Sequence, residues 1–395
     1  MHKISEFKKM FPMFKNNPDI IYFDNAALTF KPYSVIEEGN NFYEKYSIST
    51  RTADSKLGVE VAQKISSARK EIASLVEAKE SEFIFTSGTT ESLNQAAMML
   101  RSIAKPGKIL LSYFNHSSNM VPWFENYDKS LFKFIFCKSQ EDFLNNIDDE
   151  TSIVSLSQVT NNYNEIYDIK AIYEKCQKHN VILVNDAAQA IVHEPVSINN
   201  SDVITFSSNK LFGPTGMGGL VIKEDLINKL SPKKFGGGQV QNIQEGCVWA
   251  ARKTVFRFEP GTPNLAGIFQ FKAAAEFLNK ISYSKIQSIE KEVADYLYDK
   301  LAALENVSIA SNKGDHVVLF NVNGIPAQDI ASYLGHKNIY VRSGEFCAYR
   351  VKDVENFASS YVRVSISIYN DKNDVDVLIN TLKQGLERGD FLGFL

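Results

Sequence analysis

No stretch of this chain approaches the roughly 20 consecutive apolar residues needed to span a bilayer, and neither sign of charge forms a long run. The 43 basic residues stand against 46 acidic ones, a net charge of −3, which makes nucleic acid and anionic membrane poor partners. Cysteine is scarce. Cys137, Cys176, Cys247 and Cys347 are too scattered for a disulfide framework or a zinc cluster, and no metal site is expected. The first residues, Met1-His-Lys-Ile-Ser-Glu-Phe-Lys-Lys-Met-Phe-Pro12, interleave charge with apolar side chains and lack the apolar core and small-residue cleavage site of a signal peptide. A cytoplasmic protein is the expectation.

What is present is enough for more than one core. At 395 residues, 44% of them hydrophobic, two domains on one polypeptide are the natural prior. Short β-type runs alternate with helical patterns: 83–85, 108–111, 132–136, 153–156, 181–184, 203–206 and 219–222. This alternation predicts a mostly parallel seven-stranded sheet covered by helices, an α/β fold. One crossover helix is read over 169–179, where Cys176 is a packing residue and His179 a solvent-facing one. Gly236-Gly-Gly238 and Glu259-Pro-Gly-Thr-Pro263 mark loops. A long helical stretch over 265–304 follows, then strands at 317–321, 339–342 and 361–368 and a last amphipathic helix from about Asp374, a smaller α+β domain.

The most informative pair is Asp186 and Lys210, each just past an apolar run: Val181-Ile-Leu-Val-Asn-Asp186 and Val203-Ile-Thr-Phe-Ser-Ser-Asn-Lys210. Taken alone they read as a cap and a loop charge. At the carboxyl ends of strands in an open α/β sheet, however, a carboxylate and an amine face one ligand. Pyridoxal 5'-phosphate (PLP) needs both, an amine to form its Schiff base and a carboxylate to keep the pyridine nitrogen protonated.

Other segments suit the same ligand. Phe85-Thr-Ser-Gly88-Thr89-Thr90-Glu91 leads from a strand into a helix whose N-terminus offers amides and hydroxyls to a phosphate. His116 follows the strand at 108–111, where an imidazole can stack on a ring and shuttle protons. Asn161 and Gln189 can hydrogen-bond a phenolic oxygen. Gly213-Pro-Thr-Gly216-Met-Gly-Gly219 fits neither nucleotide-loop pattern, so a nucleotide site is rejected.

Six motifs in order carry a family resemblance: Gly88-Thr-Thr-Glu91, His116 with Val121-Pro-Trp123, Asp186-Ala-Ala-Gln-Ala190, Lys210-Leu-Phe-Gly-Pro-Thr-Gly216, Arg257-Phe-Glu-Pro-Gly-Thr-Pro-Asn264, and Val341-Arg-Ser-Gly-Glu-Phe-Cys-Ala348. From Tyr22-Phe-Asp-Asn-Ala-Ala27 to the last helix, the chain resembles the SufS-like (group II) cysteine desulfurases of the class V branch of fold-type I PLP enzymes. The resemblance implies an N-terminal segment 1–20 packed on the small domain, a large PLP-binding domain 21–264, and a small C-terminal domain 265–395 carrying a nucleophile loop.

By position, it implies that Lys210 carries the cofactor, Asp186 partners the pyridine nitrogen, His116 stacks on the ring, and Asn161 and Gln189 hold the ring oxygen. Thr89, Thr90, Ser207 and Asn209 would meet the phosphate, joined by Gly261 and Thr262 of the neighbouring subunit in a homodimer. Arg363 would take the substrate carboxylate through bidentate geometry, with Asn25 and Arg342 also at the substrate. Cys347 would attack the sulfur of L-cysteine, leaving L-alanine and a persulfide for a sulfur-acceptor or scaffold protein, in iron–sulfur cluster assembly. Only 15 residues lie between Cys347 and Arg363, so the acceptor must come to the thiol.

Three departures from the family pattern stand out. Ser208-Asn209-Lys210 replaces Gly-His-Lys, and Gly344-Glu345-Phe346-Cys347 replaces Gly-His-His-Cys. A carboxylate beside a thiol raises its pKa where it points inward. Gln328, not His, precedes Asp329, which sets aside the zinc-scaffold partnership of some relatives. The alternatives are another class V activity, aminotransferase or selenocysteine lyase, neither reading being closed by sequence, and a non-catalytic partner subunit that keeps only the fold.

Overall fold

The computed structural model describes residues 6–49, 54–163, 165–354, 357–358 and 360–389. By contact, the chain forms two compact units. Of the described residues, the larger comprises those within Ser34–Val159 and Ile166–Lys280; the smaller comprises those up to Tyr33, within Thr160–Glu165, and from Ile281 onward.

All seven runs read as strands form one sheet in the larger unit: Phe83–Thr86 (β1), Gly107–Ser112 (β2), Phe132–Cys137 (β3), Thr151–Ser157 (β4), Ile182–Asp186 (β5), Val203–Ser207 (β6) and Gly218–Ile222 (β7). Their order is β1-β7-β6-β5-β4-β2-β3. The five strands from β2 to β6 run parallel, and β7 is antiparallel to both of its neighbours, β1 and β6. Alternation along the strands sends side chains to opposite faces. Ile109, Leu111, Ile153 and Val184 join the helix Thr89–Leu100 (α1) in one core, while Leu110, Val154 and Leu183 meet Ile169, Ile172 and Cys176 of the helix Ile169–Lys178 (α2) in another. Cys176 is thus core, as its spacing predicted, and His179 faces Asp149 with Nδ1 2.7 Å from its carboxylate.

The helical stretch read as continuous over 265–304 is two helices, Leu265–Ile281 (α3) and Tyr283–Ala302 (α4). Ser282 between them adopts φ +69°, outside the helical region. Phe269, Phe271 and Phe277 of α3 pack edge-on against Phe42, Phe206 and Phe212. The helix therefore belongs to the larger unit, and the division falls at 280/281 rather than 264/265. It likewise falls at 33/34 rather than 20/21, because Phe23 lies in the core of the smaller unit and Ile21–Tyr22 pairs in parallel with Ile339–Tyr340.

A hairpin that the sequence reading left unassigned follows Gly236-Gly-Gly238: Val240–Gln244 (β8) and Val248–Ala251 (β9), antiparallel. Its tip, Gly246-Cys247, has positive φ at both residues. The hairpin is largely exposed, Ile243 by 73% and Val248 by 56%.

The smaller unit has a four-stranded antiparallel sheet. Its strands are Val307–Ile309 (β10), Val317–Val322 (β11), Arg342–Gly344 (β12) and Tyr361–Ser365 (β13), in the order β10-β11-β13-β12. Val318, Phe320, Val362 and Val364 pack with Val293 and Leu297 of α4 and with Leu378 and Leu382 of the last helix, Lys372–Arg388. Asp371 caps that helix through the Asn373 and Asp374 amides. Lys8 reaches Asp374 at 2.5 Å and Asp371 at 3.2 Å, which ties the N-terminal segment to this unit.

Candidate active site

The carboxyl ends of the parallel strands deliver one group of candidates. In register, Ser157 of β4 lies opposite Asp186 of β5, and Asp186 opposite Thr205 of β6; Gly218 of β7 stands between Thr86 and Ser207. Thr89, Thr90, His116, Asp186, Gln189, Ser207, Asn209 and Lys210 all sit at or just beyond this edge, where α/β sheets bind ligands.

The turn from β1 into α1 is shaped by glycine. Gly88 has φ +151°, and a Cβ on Gly218 would lie 2.5 Å from Gly88 Cα, so no other residue fits at 218. Thr89, the first residue of α1, has a buried hydroxyl with no hydrogen-bond partner among the described residues. An orphaned hydroxyl beside the free amides of a helix start is a ready anion site. Thr90 Oγ1 lies 2.8 Å from Ser118 Oγ, and Ser118 N–H donates to His116 Nδ1 at 3.1 Å. That acceptance places the proton of a neutral His116 on Nε2. The loop holding His116 is itself fixed to β4, since Asn115 donates to Ser155 O and accepts from Ser157 N–H, while Ser155 Oγ donates to Asn119.

Asp186 is buried. Its Oδ1 accepts from Ala188 N–H at 3.1 Å and its Oδ2 from Ser157 Oγ at 3.3 Å. Burial pushes its carboxyl above the usual carboxylate range, against the pull of the Lys210 charge. Lys210, half-buried, ends the tight turn Ser208–Lys210. Ser208 locks that turn: its amide donates to Met217 O at 3.0 Å, its hydroxyl to Pro214 O, and its carbonyl accepts from Gly213 N–H at 2.8 Å. A Cβ on Gly213 would stand 2.8 Å from Ser208 Cβ, which accounts for the glycine three residues after the lysine.

Gly261 and Thr262 are exposed, on a loop anchored by Glu259. Arg69 forks onto Glu259 at 2.6 and 2.7 Å, and Glu259 also accepts from Phe85 N–H. Beside this loop lies a cleft of about 870 Å³ lined by Arg69, Phe85, Arg257, Phe256 and Gly261.

The second group belongs to the smaller unit. Arg363 on β13 is 1% exposed. Its Nη2 donates to Asp24 at 2.7 Å and its Nη1 to the Asn161 carbonyl at 2.8 Å, while Nε has no partner among the described residues. Arg342 lies directly opposite on β12, 3.6 Å from the other Asp24 oxygen. Two guanidinium groups share one carboxylate, leaving a net positive charge for an anionic ligand.

Asn161, expected to reach a ring oxygen, groups with Arg363 and donates its amide to Phe346 O at 2.9 Å. Asn25 is not free for substrate. Buried, it donates to Ser365 O and Asn370 and accepts from Tyr369, so it stitches the N-terminal segment to β13. Cys347 is half-buried, next to Phe346, and all four cysteines are free thiols. Gln328 accepts from Ser343 at 2.7 Å. Sequence reasoning missed Asp24, Ser118 and Ser157 as supporting residues. Asp24 stood inside a quoted motif, but its partner is 339 positions away.

The sheet, its lysine and carboxylate, and the phosphate-ready turn define a PLP-type enzyme. The chain belongs to the class-V aminotransferase family, whose model matches residues 21–378. It is 37% identical to a probable cysteine desulfurase of Ureaplasma parvum serovar 3, over 98% of this chain and 99% of that one. To a probable cysteine desulfurase of Borreliella burgdorferi it is 30% identical, over 97% and 96%. Among solved structures, it resembles the apo cysteine desulfurase of Thermococcus onnurineus NA1 with TM-score 0.90 and 28% identity, over 97% and 98% of the two chains. It also resembles the S-sulfonic acid form of the cysteine desulfurase CsdA from Escherichia coli, with TM-score 0.88 and 27% identity over 98% and 99%.

The family's cofactor is PLP, and the residues fit it. The orphaned Thr89 hydroxyl and the helix start suit its phosphate. Asp186, buried and hydrogen-bonded by the neutral donors Ser157 Oγ and Ala188 N–H, suits a protonated ring nitrogen. Lys210 stands on a locked turn at the same sheet edge.

Proposed function

We propose that the chain is a PLP-dependent cysteine desulfurase of the group II kind, converting L-cysteine to L-alanine and keeping the sulfur as a persulfide on Cys347. The observation that carries this reading is the tie between Arg363 and the Cys347 loop: Arg363 donates to Asn161, and Asn161 donates to the residue preceding the thiol. An aminotransferase needs the arginine but no cysteine beside it.

In this reading, Thr89, Thr90, Ser207 and Asn209 hold the phosphate. Asp186 holds the ring nitrogen, His116 covers the ring, and Gln189 and the second amide hydrogen of Asn161 serve the ring oxygen. Bound there, PLP supplies the electron sink that loosens the bonds at the substrate Cα. Arg363, orientated by Asp24, takes the substrate carboxylate, with Arg342 adding positive charge. Lys210 carries the cofactor and moves a proton at Cα. The Cys347 thiolate forms a bond to the substrate sulfur as the Cβ–S bond breaks; Cβ takes a proton, and alanine leaves. Cysteine plus protein thiol gives alanine plus protein persulfide, with no external oxidant.

The sulfur then passes to a thiol-bearing acceptor protein, with iron–sulfur cluster assembly as its destination, in the cytoplasm. No described helix is long and apolar enough to cross a membrane. A homodimer is part of the proposal. Phe235, Ile243, Val248, Trp249 and Phe256 are exposed; Trp249 pairs with Ile243 and meets Phe235 edge-on, while Phe256 lines the same cleft as Gly261, exposed apolar side chains of the kind an interface uses, and in a second copy the Gly261–Thr262 loop would meet the phosphate.

The test is product analysis with L-cysteine. Alanine and sulfide in equal amounts support the reading. Pyruvate in place of alanine rejects it, and a PLP-loaded protein without turnover points to the non-catalytic subunit.

A further inference from the structure

Phe346 and Cys347 both adopt left-handed backbone conformations, φ +53° and +59°. Residues with a Cβ rarely hold this geometry without outside restraint, and two in succession need more of it. The restraints converge on Phe346. Its carbonyl accepts from Asn161 Nδ2 at 2.9 Å. The residue is 7% exposed, and its ring centroid lies 4.8 Å from the Arg363 guanidinium carbon. The turn closes behind it, with Ala348 N–H donating to Glu345 O at 2.9 Å.

We propose that Phe346 is a positioning residue that clamps the Cys347 backbone onto Arg363, so that the posture of the thiol follows the guanidinium that binds the carboxylate. Arg363 is held on its edges by Asp24 and the Asn161 carbonyl, and the Phe346 ring covers its face. A guanidinium against an aromatic ring is attractive, more so when both are withdrawn from water. The group that receives the carboxylate and the group that receives the sulfur are thereby one piece. A carboxylate arriving at Arg363 changes the charge felt by the ring, and the loop bearing Cys347 responds. This assignment rests on the desulfurase reading for its purpose, but not for its test.

The test is alkylation of the PLP-loaded protein by iodoacetamide without substrate, followed by peptide mass analysis, with added N-acetylcysteine as the internal reference. Phe346→Leu keeps apolar bulk and removes the ring; Phe346→Tyr keeps the ring. Loss of the ring contact should raise Cys347 alkylation about fivefold relative to that reference in Phe346→Leu. In Phe346→Tyr the ratio should stay within about twofold of the parent. On L-cysteine, Phe346→Leu should lose kcat while KM does not rise, because Asp24 still orientates Arg363. Equal alkylation ratios in the parent and Phe346→Leu overturn the proposal, as does a Leu variant with altered alkylation and unaltered kcat. A parent protein that makes no alanine overturns the desulfurase reading and leaves the alkylation result standing by itself.

Discussion

Asp24 accepts from Arg363 at 2.7 Å while its other oxygen faces Arg342 at 3.6 Å, so a single carboxylate answers two guanidinium groups. Breaking a buried pair strands a charge, at a cost of about 3 kcal/mol or more. Asp24→Asn should lower folding stability by that order, and a carboxylate ligand should return part of it. Thermal melts with and without L-alanine check this; the rise in Tm should be larger in the variant than in the parent.

Arg363→Lys keeps the charge and loses the fork. The bidentate grip on a carboxylate goes with it, and kcat/KM for L-cysteine should fall about a hundredfold. Steady-state alanine production measures it, and a variant within a factor of about two of the parent would remove Arg363 from the substrate site.

Lys210→Ala should lack the visible absorbance of lysine-bound PLP. Borohydride reduction of the parent followed by peptide mapping gives the complementary result, with the label on Lys210. A label on any other lysine contradicts the assignment.

Burial pushes the Lys31 amine down to about 7, whereas an unfolded lysine stays protonated to about 10.4. Between these values the unfolded chain holds a proton that the folded one has shed, so this group's contribution to stability improves as pH rises. Below pH about 7 its burial cost is fully present. Lys31→Met should therefore stabilise the protein at pH 6.5, with the advantage shrinking by pH 9.5. Urea midpoints at the two values decide it, and an advantage independent of pH contradicts the burial account.

Local patterns made much of this protein legible. Each of the seven strands is a short β-type run bounded by turn residues, and Lys210, Asp186, His116 and Thr89 follow directly from strand ends, so their positions at one sheet edge could be read from order alone. What escaped depends on distant chain segments. Asp24 and Arg363 meet across 339 positions, Asn161 and Phe346 across 185, and no spacing announces either. Ser282 breaks a helical pattern that is continuous in apolar periodicity, because its backbone, not its side chain, turns the chain. The hairpin at 240–251 lacks the alternation of a half-buried strand, since most of it faces solvent. The unit boundary was misread at α3, whose apolar face is suited to either core until Phe206 and Phe212 are seen against it.

The central claim is that Cys347 takes the sulfur, and a single turnover tests it most directly. PLP-loaded protein in excess over L-cysteine, without reductant or acceptor, should yield one alanine per cysteine and a mass increase of one sulfur on the peptide bearing Cys347, while Cys347→Ser should bind L-cysteine and release close to no alanine. Alanine formed by Cys347→Ser at the parent's rate, or sulfur found on Cys247 instead, would contradict the account.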